Sequence, residues 1–181
     1  QSEIYFKYPH MTKYNMNKIV LIQFCNAKDF ACDKNIIIKK ISDYRHAKNS
    51  FGRLTESYIA DGYKFFYGLD YYRHLIDDLQ KDNLDIRKPY VLTSHKKILQ
   101  MQIDSWITHN FIDAVSYKKL SLEIIKLINL STILYRKYMK IYYSSKEWKS
   151  RIDSLCNEYE MLKIQDDEFM EKCEFALKEF R

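Results

Sequence analysis

Apolar residues recur at alternating intervals of three and four along most of this chain. From Ile37 to Leu79 the spacing holds for six heptads, and it predicts a long α-helix with one apolar face. Lys48, Thr55 and Gly62 interrupt the row at one heptad position. We therefore expect the apolar face to drift around the helix at that point.

A second helical segment follows Pro89. The proline ring prevents simple continuation of the first helix, and Thr93 or Ser94 can cap a new one. Apolar heptad positions then continue as far as Ile141. The polar stretch 108–110 is expected to kink or break this helix.

The third segment has the most regular pattern. Nonpolar residues occupy nine of ten heptad positions between Trp148 and Phe180, and Asp166 is the exception. A helix is therefore predicted over this range, after a turn at Ser144 and Ser145. The predicted helix-packing or dimer contacts of the last two helices are Trp106, Trp148, Ile152, Leu155, Tyr159, Leu162 and Phe169.

Low contents of glycine (3) and proline (2) also favour long helices, so the fold class is all-α. Two arrangements remain open. Unbroken helices of about 35–50 residues would be roughly 50–75 Å long and would form an antiparallel three-helix coiled-coil hairpin that dimerises. Breaks at the glycines and at 109–110 would give a bundle of five or six helices. Residues 1–32 lack the heptads and are expected to form an arm or the end of a preceding domain, whereas 33–181 form the helical domain.

The formal net charge of +6 suits an anionic partner, but ordinary basic globular proteins have a similar charge. Basic residues concentrate in the second half of the second helix and the start of the third. The candidate contacts to an anionic surface are Lys118, Lys119, Arg136, Lys137, Lys140, Lys146, Lys149 and Arg151. Nucleic acid is not favoured, because tyrosines that could stack on bases already occupy core positions in part. No segment is apolar enough to span a membrane.

Motifs for catalysis, cofactors and metals do not stand out in the sequence. It contains no glycine-rich phosphate loop, HExxH or GxSxG. The spacing of Asp43 and His46 is that of one half of a di-iron site, but the second half is missing. The four cysteines form no CxxC pair with zinc-like histidines. We expect a non-enzyme without cofactors whose thiols are buried in the reducing cytoplasm; a secreted protein with a Cys25–Cys32 bridge is the alternative.

Three segments resemble a BAR domain of the sorting-nexin type. Residues 41–69 are similar to the first helix of that family, 122–136 to its second and 148–181 to its third. The matching features are Leu54, Tyr58, Gly62 and Leu69, the run Leu122-Glu123-Ile124-Ile125, and the closing Glu179-Phe180-Arg181. The resemblance covers about 33–181. It implies a crescent-shaped homo- or heterodimer whose basic residues sense or stabilise curvature on endosomal membranes, without catalysis.

Two other functions fit the same pattern. One is a helical protein-interaction subunit of a larger assembly, which would bind another helical protein. The other is an exported or secreted helical protein of a parasite or virus that binds a host factor. In all three cases the partner is a second copy, another protein or an anionic lipid.

Overall fold

A computed structural model of the chain describes residues 33–49, 66–143 and 149–180, and it confirms an all-α fold for these ranges. They contain five helices and no strand: α1 (Lys34–Arg45), α2 (Asp70–Gln80), α3 (Arg87–Thr108), α4 (Ala114–Tyr143) and α5 (Lys149–Glu179). The chain divides into two units, Gln1–Cys32 and Asp33–Arg181, and all five helices belong to the second. The predicted arm at 1–32, with Cys25 and Cys32, lies outside the described residues.

The long helices α3, α4 and α5 pack in sequence, each antiparallel to the one before it. Two ion pairs fix the direction of α5 against α4. Lys137 near the end of α4 contacts Glu158 near the start of α5 at 2.5 Å. Glu123 near the start of α4 contacts Lys172 near the end of α5 at 2.8 Å. Helices α1 and α2 pack on α5.

One row of residues on α4 faces both long neighbours. Its members recur at intervals of three and four and are Leu120, Ile124, Leu127, Ser131, Leu134, Tyr138 and Ile141, all of them buried. Such a row keeps one face of a helix against its neighbours over the whole length. The hydroxyl of Thr93 in α3 donates to the carbonyl of Ser131 at 3.3 Å, so this polar residue of the row also takes part in a contact between helices.

Three of the helices end in the same way, with one residue in the left-handed conformation after the C-cap. These residues are Ala47, Asp82 and Asn110, with φ of 52°, 58° and 55°. In each case the next N–H donates to the carbonyl five residues earlier, over 2.8, 2.9 and 2.8 Å. This bond defines the Schellman motif, which satisfies terminal carbonyls and turns the chain out of the helix.

These helix ends decide between the two arrangements that the heptads left open. Helix α1 stops at Arg45 and does not run on towards Leu79, and the second predicted helix is divided at 109–113 into α3 and α4. The third predicted helix is continuous as α5. The described ranges therefore have the second arrangement, a helical bundle, with five helices in this part of the chain. The breaks considered at Gly52 and Gly62 lie outside the described residues.

Replacing Ala47 with glycine should raise the free energy of unfolding by about 1 kcal/mol. A left-handed φ costs an L-residue roughly 1–2 kcal/mol, and glycine removes this cost. Because glycine also has more conformational freedom in the unfolded chain, part of the stabilisation is lost again. Urea denaturation would measure the change. Ala176→Gly inside α5 is the matched control and should lower stability by about 1 kcal/mol. A loss of stability in Ala47→Gly would contradict the prediction.

Candidate functional site

A fully buried ion pair lies where four helices meet. Lys96 of α3 and Asp166 of α5 both have side chains with 0% exposure, and the ammonium of Lys96 donates to Oδ2 of Asp166. The hydroxyl of Tyr44 in α1 donates to the same oxygen at 2.6 Å, and that of Tyr72 in α2 donates at 3.0 Å. One carboxylate oxygen therefore connects α1, α2, α3 and α5.

Burial and the charge of the shared carboxylate act on the pKa values of the three donors in this cluster. Burial raises the pKa of the Tyr44 and Tyr72 hydroxyls, and the negative charge of Asp166 raises it further. Burial lowers the pKa of Lys96, while the neighbouring carboxylate acts in the opposite direction. The Lys96 ammonium also lies 5.6 Å and 5.7 Å from the ring centroids of the two tyrosines, within the range of cation–π attraction.

His95 closes one side of the cluster. Its ring stacks on Tyr44 with centroids 5.0 Å apart. Burial and the adjacent Lys96 lower its pKa to about 4, so the imidazole is neutral at pH 7. Because Lys96 and Asp166 have no exposed surface, a dissolved substrate cannot reach them. The cluster therefore forms contacts between helices through Oδ2 of Asp166, while its buried Oδ1 has no hydrogen-bond partner in the described part of the chain.

A second buried carboxylate, Asp78, connects α2 to α3. Lys88 at the start of α3 donates to its Oδ2, and the side-chain amide of Asn83 donates to its Oδ1 at 3.0 Å. His74 approaches Oδ2 at 3.5 Å. Burial lowers the pKa of Lys88. Both oxygens of Asp78 are satisfied, so this cluster too is a contact between helices.

Residues considered for metal binding are separate in the structure. Within 33–49, 66–143 and 149–180, no group of three or more His, Cys, Asp or Glu side chains could hold a metal ion. His46 is the C-cap residue of α1, and its Nδ1 lies 2.8 Å from the carbonyl oxygen of Ser42. Cys156 and Cys173 are buried free thiols, and burial raises the pKa of both.

Opposite its buried row, α4 carries a second row of regularly spaced residues, which we call the outer row. Successive members are three or four positions apart, and every one is exposed. The members are Val115, Lys118, Leu122, Ile125, Asn129, Ile133, Arg136 and Lys140. The outer row thus combines four aliphatic side chains, three cations and one amide, with no carboxylate.

The charges of α4 are almost all positive. Its one acidic residue, Glu123, accepts a hydrogen bond from Lys172, and Lys137 donates to Glu158. The remaining cations make no ion pair with any residue that the structure describes; they are Lys118, Lys119, Lys126, Arg136 and Lys140. An anionic partner could therefore bind them without breaking an ion pair seen in this part of the chain.

The residues predicted to contact an anionic surface do not lie together on one face in the structure. Lys118, Arg136 and Lys140 share the outer row, although the first two lie about 27 Å apart along the helix. Lys119 and Arg151 are exposed away from that row. Lys137 is paired, as described above. Lys146 and the side chain of Lys149 lie outside the described residues.

The predicted helix-packing or dimer contacts lie in the core of the single chain. Trp106 packs from α3, and the members from α5 are Ile152, Leu155, Tyr159, Leu162 and Phe169, all buried. Trp148 lies outside the described residues. These side chains are covered by the chain's own helices, so they are not available on the surface for a second copy.

Comparison with known proteins gives no relative from which a function could be transferred. No protein-family model matches the chain, and neither a curated protein nor a solved structure shows significant similarity to it. In the described ranges, no helix has the length and apolar character needed to cross a membrane.

Proposed function

We propose that the helical domain is a non-catalytic protein-interaction module that binds an anionic partner through the outer row of α4. The observation that carries this proposal is the combination on one helix face of exposed aliphatic side chains with cations lacking a counter-ion among the described residues. An acidic partner surface would supply the missing charges and cover the apolar side chains.

The aliphatic part of the row supports an interface. Leu122, Ile125 and Ile133 are 56%, 44% and 48% exposed. Single exposed apolar residues are ordinary, but contiguous ones bordered by polar groups are typical of binding sites. Here they lie between Lys118 on one side and Arg136 and Lys140 on the other, with Asn129 among them. This resembles an interface with a mainly apolar centre and a charged rim.

The fully buried ion pair of Lys96 and Asp166 supports the proposal that the domain is not catalytic. Perturbed titratable groups in a cleft are the usual indication of an active site. Among the perturbed groups of this domain, Lys96, Tyr44 and Tyr72 surround Asp166 in the interior. Their positions account for the pKa shifts through helix packing alone.

Binding to an anionic membrane is the second candidate function. The resemblance to a BAR domain implies it, in the form of a dimer acting in vesicle trafficking on endosomal membranes from the cytoplasmic side. The outer row supports it too, because cations near an anionic lipid surface contribute about 1 kcal/mol each. Such a dimer would need a contact surface other than the predicted dimer residues, because those that the structure describes are buried.

Reversing the charges of the outer row should weaken binding to an acidic polypeptide. We expect the variant Lys118→Glu/Arg136→Glu/Lys140→Glu to bind poly-L-glutamate roughly tenfold more weakly than wild type, since three exposed pairs at ~0.5 kcal/mol each amount to one decade. Fluorescence anisotropy at low and at physiological salt would measure the affinities.

A charge-matched variant controls for net charge. Lys39, Lys81 and Lys97 are exposed on other helices or loops, and Lys39→Glu/Lys81→Glu/Lys97→Glu changes the formal charge by the same amount. This variant should retain binding within about twofold of wild type. Equal losses in the two variants would show that net charge, and not the outer row, determines binding, and would overturn the proposal.

A further inference from the structure

Helix α4 has the residue pattern of a helix with neighbours on two opposite sides. Its buried row is covered by α3 and α5, and the outer row repeats the same spacing on the other side, from Val115 to Lys140. A row of this spacing runs nearly parallel to the helix axis. It is about 38 Å long at 1.5 Å per residue, which is enough for another helix to follow over several turns.

From this pattern we infer that the outer row docks an acidic amphipathic helix of a partner protein, an inference that rests on the proposed function. The partner's apolar side chains would pack on Leu122, Ile125 and Ile133. Its carboxylates would lie near Lys118 at one end and near Arg136 and Lys140 at the other. Aliphatic residues at such spacing, with charged residues beside them, are the usual components of helix-on-helix recognition.

Charge argues against a second copy of the chain on this face. In an antiparallel pair centred on Asn129, Lys118 would face the Lys140 of the other copy. In a parallel pair each cation would face itself. Like charges across an interface are destabilising. An acidic helix removes this repulsion and leaves the aliphatic contacts intact.

The side chains of the row favour a helix over a lipid surface. Interfacial helices combine basic residues with Trp, Phe or Leu that insert between lipids. The apolar members of the outer row are Val, Leu and Ile, and Asn129 interrupts them at the centre. A polar residue at a helix–helix seam can set the register between two helices, whereas a bilayer has no register to select.

Designed peptides provide the test. One probe is an acidic helix of about 28 residues with Leu and Ile along one face, a central Asn, and Glu on the flanks. The second has the same composition in shuffled order, so that its charge is equal but its apolar residues share no face. Vesicles containing phosphatidylserine form the third probe. Titration calorimetry would measure peptide affinities, and co-sedimentation would measure vesicle binding.

The amphipathic peptide should bind wild type at least about tenfold more tightly than the shuffled peptide. Ile125→Glu should weaken that binding about tenfold or more, since a buried anchor of an interface becomes charged. The matched control is Ile98→Glu on α3, because Ile98 is 53% exposed but lies off the row; it should change the affinity by less than about twofold. Circular dichroism of both variants would verify that helix content is retained.

The other outcomes separate the inference from the proposed function. Equal binding of the two peptides would be consistent with the proposed function, an anionic partner, but would overturn the inference that this partner is an amphipathic helix. Vesicle binding without peptide binding would overturn it in favour of a membrane partner. If the peptides, the vesicles and poly-L-glutamate all fail to bind, the proposed function and the inference are both wrong.

Discussion

Replacing Lys96 with methionine should lower the free energy of unfolding by about 3–5 kcal/mol, the usual cost of removing one partner of a buried ion pair. The Asp166 carboxylate would remain at 0% exposure without its counter-ion. Tyr44 and Tyr72 still donate hydrogen bonds to it, but neutral donors do not balance a buried charge. Chemical denaturation monitored by circular dichroism would measure the loss.

Two further variants make this prediction specific. Lys97→Met alters the neighbouring lysine, which is exposed, and should change stability by no more than about 0.5 kcal/mol. The double variant Lys96→Met/Asp166→Asn removes both charges but keeps a side-chain oxygen that can accept the hydrogen bonds of Tyr44 and Tyr72, so it should recover most of the loss. A loss below about 1 kcal/mol in Lys96→Met would contradict a charge-paired role for this lysine.

Helix ends show how far sequence alone predicts this fold. Asn and Asp adopt the left-handed conformation more readily than most residues, and Asn110 lies in the polar stretch 108–110 where the sequence predicts a kink or break. Ala47 gives no such signal. At this helix end the Tyr44 carbonyl accepts from the N–H of Leu69 at 3.1 Å as well as from that of Ala47. That contact comes from a distant part of the chain.

The buried ion pair was visible from the sequence on one side only. Asp166 is the polar exception in the heptads of the third helix, and a polar residue at a core position requires a partner. Lys96 lies 70 positions away on another helix. Heptad spacing predicts which face of each helix is buried, but it does not specify which faces meet, so Lys96 could not be assigned to Asp166.

The outer row was missed for a related reason. The heptad pattern indicates one apolar face for each helix, and on α4 that face is the buried row. Leu122, Ile125 and Ile133 were therefore not predicted to form an exposed row, although their spacing is present in the sequence. Ion pairs between helices also reduce the number of predicted basic contacts that are free to bind an anionic partner. Glu158 neutralises Lys137, whereas Lys118 and Arg136 pair with no residue in the described part of the chain.

Replacing Gly68 with alanine should lower the free energy of unfolding by about 2–4 kcal/mol, from a left-handed backbone and a backbone clash together. Gly68 has φ of +51°, a conformation that costs other residues roughly 1–2 kcal/mol. An added Cβ would overlap the carbonyl oxygen of Tyr44 and lie 2.6 Å from its carbonyl carbon. A backbone carbonyl cannot rotate away as a side chain can, so α1 would have to move from the start of α2.

Hydrogen exchange can show where this destabilisation acts. The displacement should break the bond from the Leu69 N–H to the Tyr44 carbonyl and loosen the Tyr44 hydroxyl from Asp166, so amides of α1 should exchange faster than those of α4. Asn110→Ala is the matched control, because Asn110 is also left-handed, with φ of 55°, but follows α3 at an exposed site. It should cost about 1 kcal/mol and leave exchange in α1 unchanged. Equal losses in the two variants would mean that conformation alone, and not the close approach to Tyr44, requires glycine at this position.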